Sequence, residues 1–244
     1  MEITERYFLQ DGQWCVIHLP ERPSGFGILL LGDTQHHVEN NTSFWLQHVG
    51  RKKILERLRI TGYTIFSSNL NGRHYGSDEA VRLTKNLYHM VMKKETLNKQ
   101  IHIIAEGMGA LVAFELMKSM PQYIRSVSFI DPLLQLKDTI QREKKNKFFY
   151  KRLVKDLQKA YTLEEDDVMH MIEDKGYEQD TSSIPVQLFL STHAKVDGKR
   201  HARIYEQVRR TQDKPIILLF YVPERKYECS TSICLFLKAY EKEY

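Results

Sequence analysis

The chain has 244 residues, 42% of them hydrophobic and 27% charged, with twelve glycines and seven prolines. That balance predicts one globular domain with a sizeable core and excludes an extensively disordered or low-complexity chain. With a formal charge of only +5 and no recognised nucleic-acid-binding module, no nucleic-acid partner is expected. The opening MEITERYFLQDGQW lacks the apolar core of a secretory signal. The longest apolar runs, 28–31 and 216–222, are strand-sized, well short of the roughly 18 residues a membrane span needs. Cys15, Cys229 and Cys234 form no metal spacing and read as reduced, buried thiols of a cytoplasmic protein.

In chain order, the Asp11-Gly12 pair between two extended runs predicts an antiparallel hairpin of strands 3–9 and 14–19. Residues 25–31 form a near-continuous apolar strand suited to a sheet covered on both faces. A loop, Gly32-Asp33-Thr34-Gln35-His36-His37, follows it. Val49, Ile54, Leu55 and Leu58 recur at helical intervals and predict a helix over 45–59, stopped near Gly62. Then come a strand at 63–67, a polar turn at 69–77, a helix over 78–94, a strand at 101–105, a helix over 109–118 and a strand at 127–130. From 136 to 182 the strand signal disappears, which predicts a helical cap insertion between two parts of a core, 1–135 and 183–244. The rhythm resumes with a strand at 185–190, a helix over 199–210, a strand at 215–222 and a last helix around 233–241. Alternation of this kind predicts an α/β fold, a mostly parallel sheet with helices on both faces.

The stretch IIAEGMGALVA, residues 103–113, runs a strand through a small-residue turn into a helix. With Gly32 after the third strand, RITGYTIFSSNLNGRHYGSD at 59–78 and MPQYIRSVSFIDP at 120–132, it resembles the α/β-hydrolase superfamily in both motifs and order of elements. That resemblance implies a Ser-Asp-His triad, and the matching positions depart from it. The elbow G-x-S-x-G reads Ala105-Glu106-Gly107-Met108-Gly109, so the nucleophile position is Gly107. The acid position is Ala194, and the histidine position is Tyr227. A shifted match leaves Asp197 as an acid, but no histidine follows His201. The resemblance therefore implies a catalytically degenerate member that binds a small acyl or carboxylate ligand or acts as an interaction protein. Its binding residues would be Gly32, Asp33, His36, Glu106, Gly107, Met108, His74 and His193, with the main chain of the Gly32 loop and of Met108 offering donors.

Other readings compete. An esterase, thioesterase or acyltransferase with relocated groups would use Ser191 or Ser68 with His193 or His74. Gly107-Met108-Gly109 followed by Asp131 partly matches an NAD(P) fingerprint, although Val112 stands where its third small residue belongs. His36, His37 and His74 are expected to be solvated loop residues, without the third ligand or the spacing of a metal site. No cofactor is expected. Between Arg142 and Lys159 lie eight Lys/Arg against Glu143 and Asp156, interleaved with Phe148, Phe149, Tyr150, Leu153 and Leu157. This segment is expected to pack its apolar side on the core and present a solvated basic face, with an anionic surface as the other use.

Overall fold

In a computed structural model the described residues are 4–172 and 175–241. Strands β1 (Glu5–Gln10) and β2 (Gln13–His18) form the antiparallel hairpin, and β2 pairs antiparallel with β4 (Thr64–Ser68). All further pairings are parallel, through β3 (Gly27–Leu31), β5 (Ile101–Glu106), β6 (Ile124–Ile130), β7 (Val186–Ser191) and β8 (Ile216–Tyr221). The strand order is β1-β2-β4-β3-β5-β6-β7-β8.

Side chains alternate between faces along each strand. Leu29, Leu31, Ile103 and Ala105 join the core on one face, and Ile28, Leu30 and Ile104 the core on the other. Helices α3 (Asp78–Lys94), α4 (Gly109–Ser119) and α8 (Val196–Thr211) cover the first face, and α2 (Val49–Thr61) and α9 (Ser230–Ala239) the second. The same alternation places Glu106, two residues beyond Ile104, on the α2 side of the sheet. Between β6 and β7 lie α5 (Leu136–Glu143), α6 (Lys147–Tyr161) and α7 (Glu165–Met171). Leu136, Ile140, Leu153, Leu157, Val168 and Ile172 pack there against Tyr75, Met108 and Leu111. Each such buried aliphatic contributes about 1.5–3 kcal/mol relative to exposure, which fixes these helices over the turn after β5.

Several boundaries depart from the sequence expectation, among them the start of β6, at Ile124 rather than 127. The helix expected over 45–59 is two, α1 (Phe44–Gln47) and α2, because His48 is extended and its Nδ1 accepts the Gly50 and Arg51 N–H groups as an N-cap. Val49, expected on the buried face, is 73% exposed. Helix α8 begins at Val196, a turn earlier than expected. The last helix begins at Ser230 after a 3-10 turn, Pro223–Cys229, which the apolar periodicity did not reveal.

One buried ion pair fixes the start of β7. Arg209 on α8 meets Asp180 and the carbonyls of Ile184 and Pro215, while the Tyr205 hydroxyl donates to Asp180 at 2.6 Å. Removing one partner of such a pair leaves a buried charge uncompensated, costing about 3–5 kcal/mol. Asp180→Ala is expected to lower the urea-unfolding free energy by about that amount; a loss under about 1 kcal/mol would contradict this role for the pair.

Candidate functional site

The turn between β5 and α4 carries the site. Gly107 has φ +53°, in the left-handed region that glycine enters with little strain. Gly109 lies so close to β3 that a Cβ there would fall 2.6 Å from the Leu31 carbonyl oxygen. The geometry of a nucleophile turn is therefore kept, but its apex is occupied. A Cβ at position 107 would lie 2.1 Å from both Cγ and Oδ1 of Asp33, and the Met108 N–H donates to the same Oδ1 at 3.0 Å. One carboxylate thus fills the space a residue-107 side chain would enter and takes the main-chain donor of the turn. The sequence expectation of a Met108 donor open to a ligand is corrected: the protein's own Asp33 is its acceptor.

Behind the turn runs a chain of charges, Glu106 buried and its partners half-buried. Glu106 is paired through both oxygens with Arg51 on α2, at 2.8 and 2.6 Å, and accepts from Lys226 Nζ at 2.9 Å. Burial alone would raise the Glu106 pKa, but the Arg51 hydrogen bonds and the charges of Lys226 and Arg51 outweigh it and hold the group ionised. Lys226 also contacts Asp131 Oδ2 at 2.9 Å, and Asp131 accepts the Tyr221 hydroxyl and, at 2.9 Å, the Ser191 N–H. Tyr221 is pushed to high pKa by burial and by Asp131, so it stays protonated and donates.

The sequence-derived positions separate into two groups. Asp33, Gly107, Met108, Ser191, His193, Ala194 and Asp197 line a cavity of about 850 Å³, within the usual range for ligand pockets. Gly32, His36, His74, Glu106 and Tyr227 are not among its lining residues. Tyr227 packs instead against α2, its hydroxyl 3.1 Å from His48 Nε2, with Gly50 leaving room for its ring. Lys226, next to it, makes the contacts at the strand ends. His193 is exposed and only its main-chain N–H reaches Ser191 Oγ, at 3.1 Å. Asp197 pairs with Arg142 at 3.4 Å. Among the described residues no hydrogen bond joins Ser191 Oγ to a histidine ring. Ser68 is buried at the end of β4, its hydroxyl near the Leu70 N–H. Nor are the Cys15 and Cys229 thiols poised: burial raises them to about 11 and about 12.

The expectation of solvated loop histidines is corrected for His36 and His74, which are 7% and 4% exposed. Gly32 makes the room for His36, since a Cβ there would fall 2.2 Å from its ring. His74 is fixed by the Gly76 N–H, which donates to Nδ1 at 3.2 Å. His37 is half-buried, its Nδ1 3.1 Å from the Gln35 carbonyl. The NAD(P) fingerprint loses both contacts it would need, because Asp33 covers the Met108 N–H and Asp131 is held by Lys226, Tyr221 and Ser191. Sequence reasoning missed Arg51, Lys226 and Tyr221, and it did not place the cavity arginines Arg73, Arg142 and Arg152. Arg73 pairs with Asp156 at 2.7 Å and Arg142 with Asp197, whereas Arg152 makes no ion pair among the described residues.

Burial pulls the pKa of His36 to about 4 and of His74 to about 3, and His102 inside β5 to about 3. Folded, these rings are neutral; unfolded, they return to 6.5 and bind protons first as pH falls. Stability is therefore unaffected by them above pH 6.5 and is lost from there down to about 4, by about 1.4 kcal/mol per pH unit for each ring. Urea unfolding between about pH 7 and about pH 5 is expected to show this fall, and constant stability across that range would contradict the neutral burial of the three rings. At the charge chain, Glu106→Gln leaves Arg51 and Lys226 facing a neutral group, and a loss of about 3–5 kcal/mol is expected from the same unfolding measurement; an unchanged midpoint would show the chain to be dispensable.

No protein-family model and no curated protein sequence matches the chain. Solved structures do. An S-formylglutathione hydrolase from Agrobacterium tumefaciens superposes with TM-score 0.70 at 10% identity, over 98% of this chain and 95% of its own. Est1E from Butyrivibrio proteoclasticus gives 0.61 at 12% identity, over 97% and 100%. The thioesterase domain from the curacin biosynthetic pathway gives 0.55 at 10% identity, over 96% and 98%. Sheet order, the antiparallel β2, the turn after β5 and these superpositions agree: the chain has the α/β-hydrolase fold.

Proposed function

We propose that this chain is a catalytically degenerate α/β-hydrolase-fold protein that binds a small acyl ligand. The observation that carries the reading is the Asp33 carboxylate at the apex of the turn. A nucleophile would need that space, and a developing oxyanion would need the Met108 N–H that Asp33 holds. The positions aligned with triad acid and base, Ala194 and Tyr227, supply neither. The inserted helices act as a cap over the cavity. Leu133, Leu134, Leu153, Phe149 and Leu190 give it an apolar wall, and Arg152 is the lining guanidinium without a carboxylate among the described residues. A ligand carboxylate is expected at Arg152, away from Asp33, with its alkyl body on the leucines. Three free, buried cysteines fit a reducing compartment such as the cytoplasm.

A second reading, a hydrolase or acyltransferase with relocated groups, is favoured by one observation: Ser191, His193 and Asp197 all line the same cavity. The two separate cleanly. Incubated with p-nitrophenyl acyl esters and acyl thioesters, the protein is expected to give no turnover above the uncatalysed rate, and Gly107→Ser is expected to restore none, because Ala194 and Tyr227 leave the new hydroxyl without an acid or a base. Turnover that Ser191→Ala or His193→Ala abolishes would overturn degeneracy and establish the second reading. In calorimetric titration with decanoate, saturable binding is expected, weakened about tenfold by Arg152→Ala, the scale of one charge-assisted hydrogen bond. No binding at all would remove the acyl-ligand assignment.

A further inference from the structure

We propose that the outer face of α6 is a docking surface for an anionic phospholipid bilayer. Asn146 caps this helix, its Oδ1 accepting the Phe148 and Phe149 N–H groups at 3.2 and 3.4 Å, so the helix starts where the two aromatics stand. Phe148 is 71% exposed and Phe149 52%, their rings edge to face at 5.7 Å. Around them Lys144, Lys145, Lys147, Lys151, Arg152, Lys155 and Lys159 are all exposed, and none of them makes a salt bridge among the described residues. Between 144 and 159 the one acid is Asp156, which is half-buried and paired with Arg73.

At about 100° per residue, Phe148, Arg152, Lys155 and Lys159 share an arc of roughly 60°, directly opposite the buried Leu153, Val154 and Leu157. The acidic start of α7 meets α6 through Tyr150, whose hydroxyl donates to Glu165 at 3.3 Å. Tyr150 lies about 160° around the helix from Phe148, so those acids do not oppose the basic face. An exposed apolar pair inside a field of cations without carboxylate partners among the described residues suits an interface where hydrocarbon lies just beneath negative headgroups. The alternative polyanion, a nucleic acid, is held by a basic groove with aromatic platforms along it. Here the surface is a convex helix with its two rings edge to face.

The arrangement also orients the molecule. Phe149, Arg152, Leu153 and Asp156 line the cavity from α6, so docking through this helix sets this wall of the cavity beside the bilayer. The docking surface itself stands on the exposed residues and holds whether or not the cavity takes an acyl ligand.

The test is cosedimentation of the full chain with vesicles of phosphatidylcholine alone or of equal parts phosphatidylcholine and phosphatidylglycerol. Binding is expected to the mixed vesicles and not to phosphatidylcholine alone, and to weaken as salt is raised. Two variants outside the cavity lining should lower it: Phe148→Ser, which keeps every charge, by about tenfold, and the triple Lys147→Glu, Lys151→Glu, Lys155→Glu, which keeps the aromatics, by about a hundredfold or more. The urea-unfolding midpoint of Phe148→Ser is expected to equal that of the wild type, which confirms its fold independently of the acyl-ligand reading. Failure to bind the mixed vesicles at low salt would overturn the proposal. So would binding that Phe148→Ser leaves unchanged, or that single-stranded RNA displaces as readily from this variant as from the wild type, since either result would mean adhesion by charge alone.

Discussion

The contact between the Asp33 carboxylate and the Met108 N–H, across a glycine with φ +53°, is the constraint on which the rest of the site depends. A hydrogen bond to a charged acceptor contributes about 1.5–3 kcal/mol. It satisfies one of the N–H groups that a helix leaves unpaired at its start, and it places negative charge at the positive end of the α4 dipole. While Asp33 holds this place, position 107 has no room for a side chain, because a Cβ would enter the carboxylate. In a turn of this shape an external anion would ordinarily be the partner of the free donor. Here the loop after β3 supplies the anion from within the chain.

The charge chain behind the turn follows from the same economy of space. Sheet alternation points Glu106 into the packed layer between β5 and α2, where an unpaired carboxylate would be costly to bury. Arg51 answers it with a two-point pair, and Lys226 links it to Asp131, which has φ +44° immediately before a proline. This links α2, the end of β5, the end of β6 and the 3-10 turn after β8 through side-chain charge. A buried pair of this kind adds little net stability compared with an apolar replacement, but removing one member is expensive. Its evident effect is to hold the Lys226 loop against the strand ends, so that Tyr227 turns away from the cavity toward His48.

Much of the fold could be read from the residues because the signals are local. Asp11-Gly12 set the hairpin, the apolar runs at 28–31 and 101–105 set central strands, and the end of the polar turn at 69–77 set the start of α3. The helix break at His48 was hidden because an imidazole cap resembles any polar residue within a periodic stretch. Within the site, the absence of a hydroxyl at Gly107 was legible and its cause was not. Asp33 and Met108 are separated by 74 intervening positions along the chain, and Arg51 and Glu106 by 54, so only the folded sheet shows that they are partners. The histidines misled for a related reason: His36 and His74 sit in polar loops, and their burial depends on Gly32 and on the cover of neighbouring elements.

The most direct measurement is the amide proton of Met108 observed by NMR in the wild-type protein and in Asp33→Ala. A charge-assisted hydrogen bond deshields the donor, so the account predicts a strongly downfield Met108 amide in the wild type that moves upfield and exchanges faster with solvent in the variant. An amide with the same shift and exchange rate in both proteins would mean that Asp33 does not occupy the turn, and would contradict the claim that this carboxylate replaces a nucleophile there.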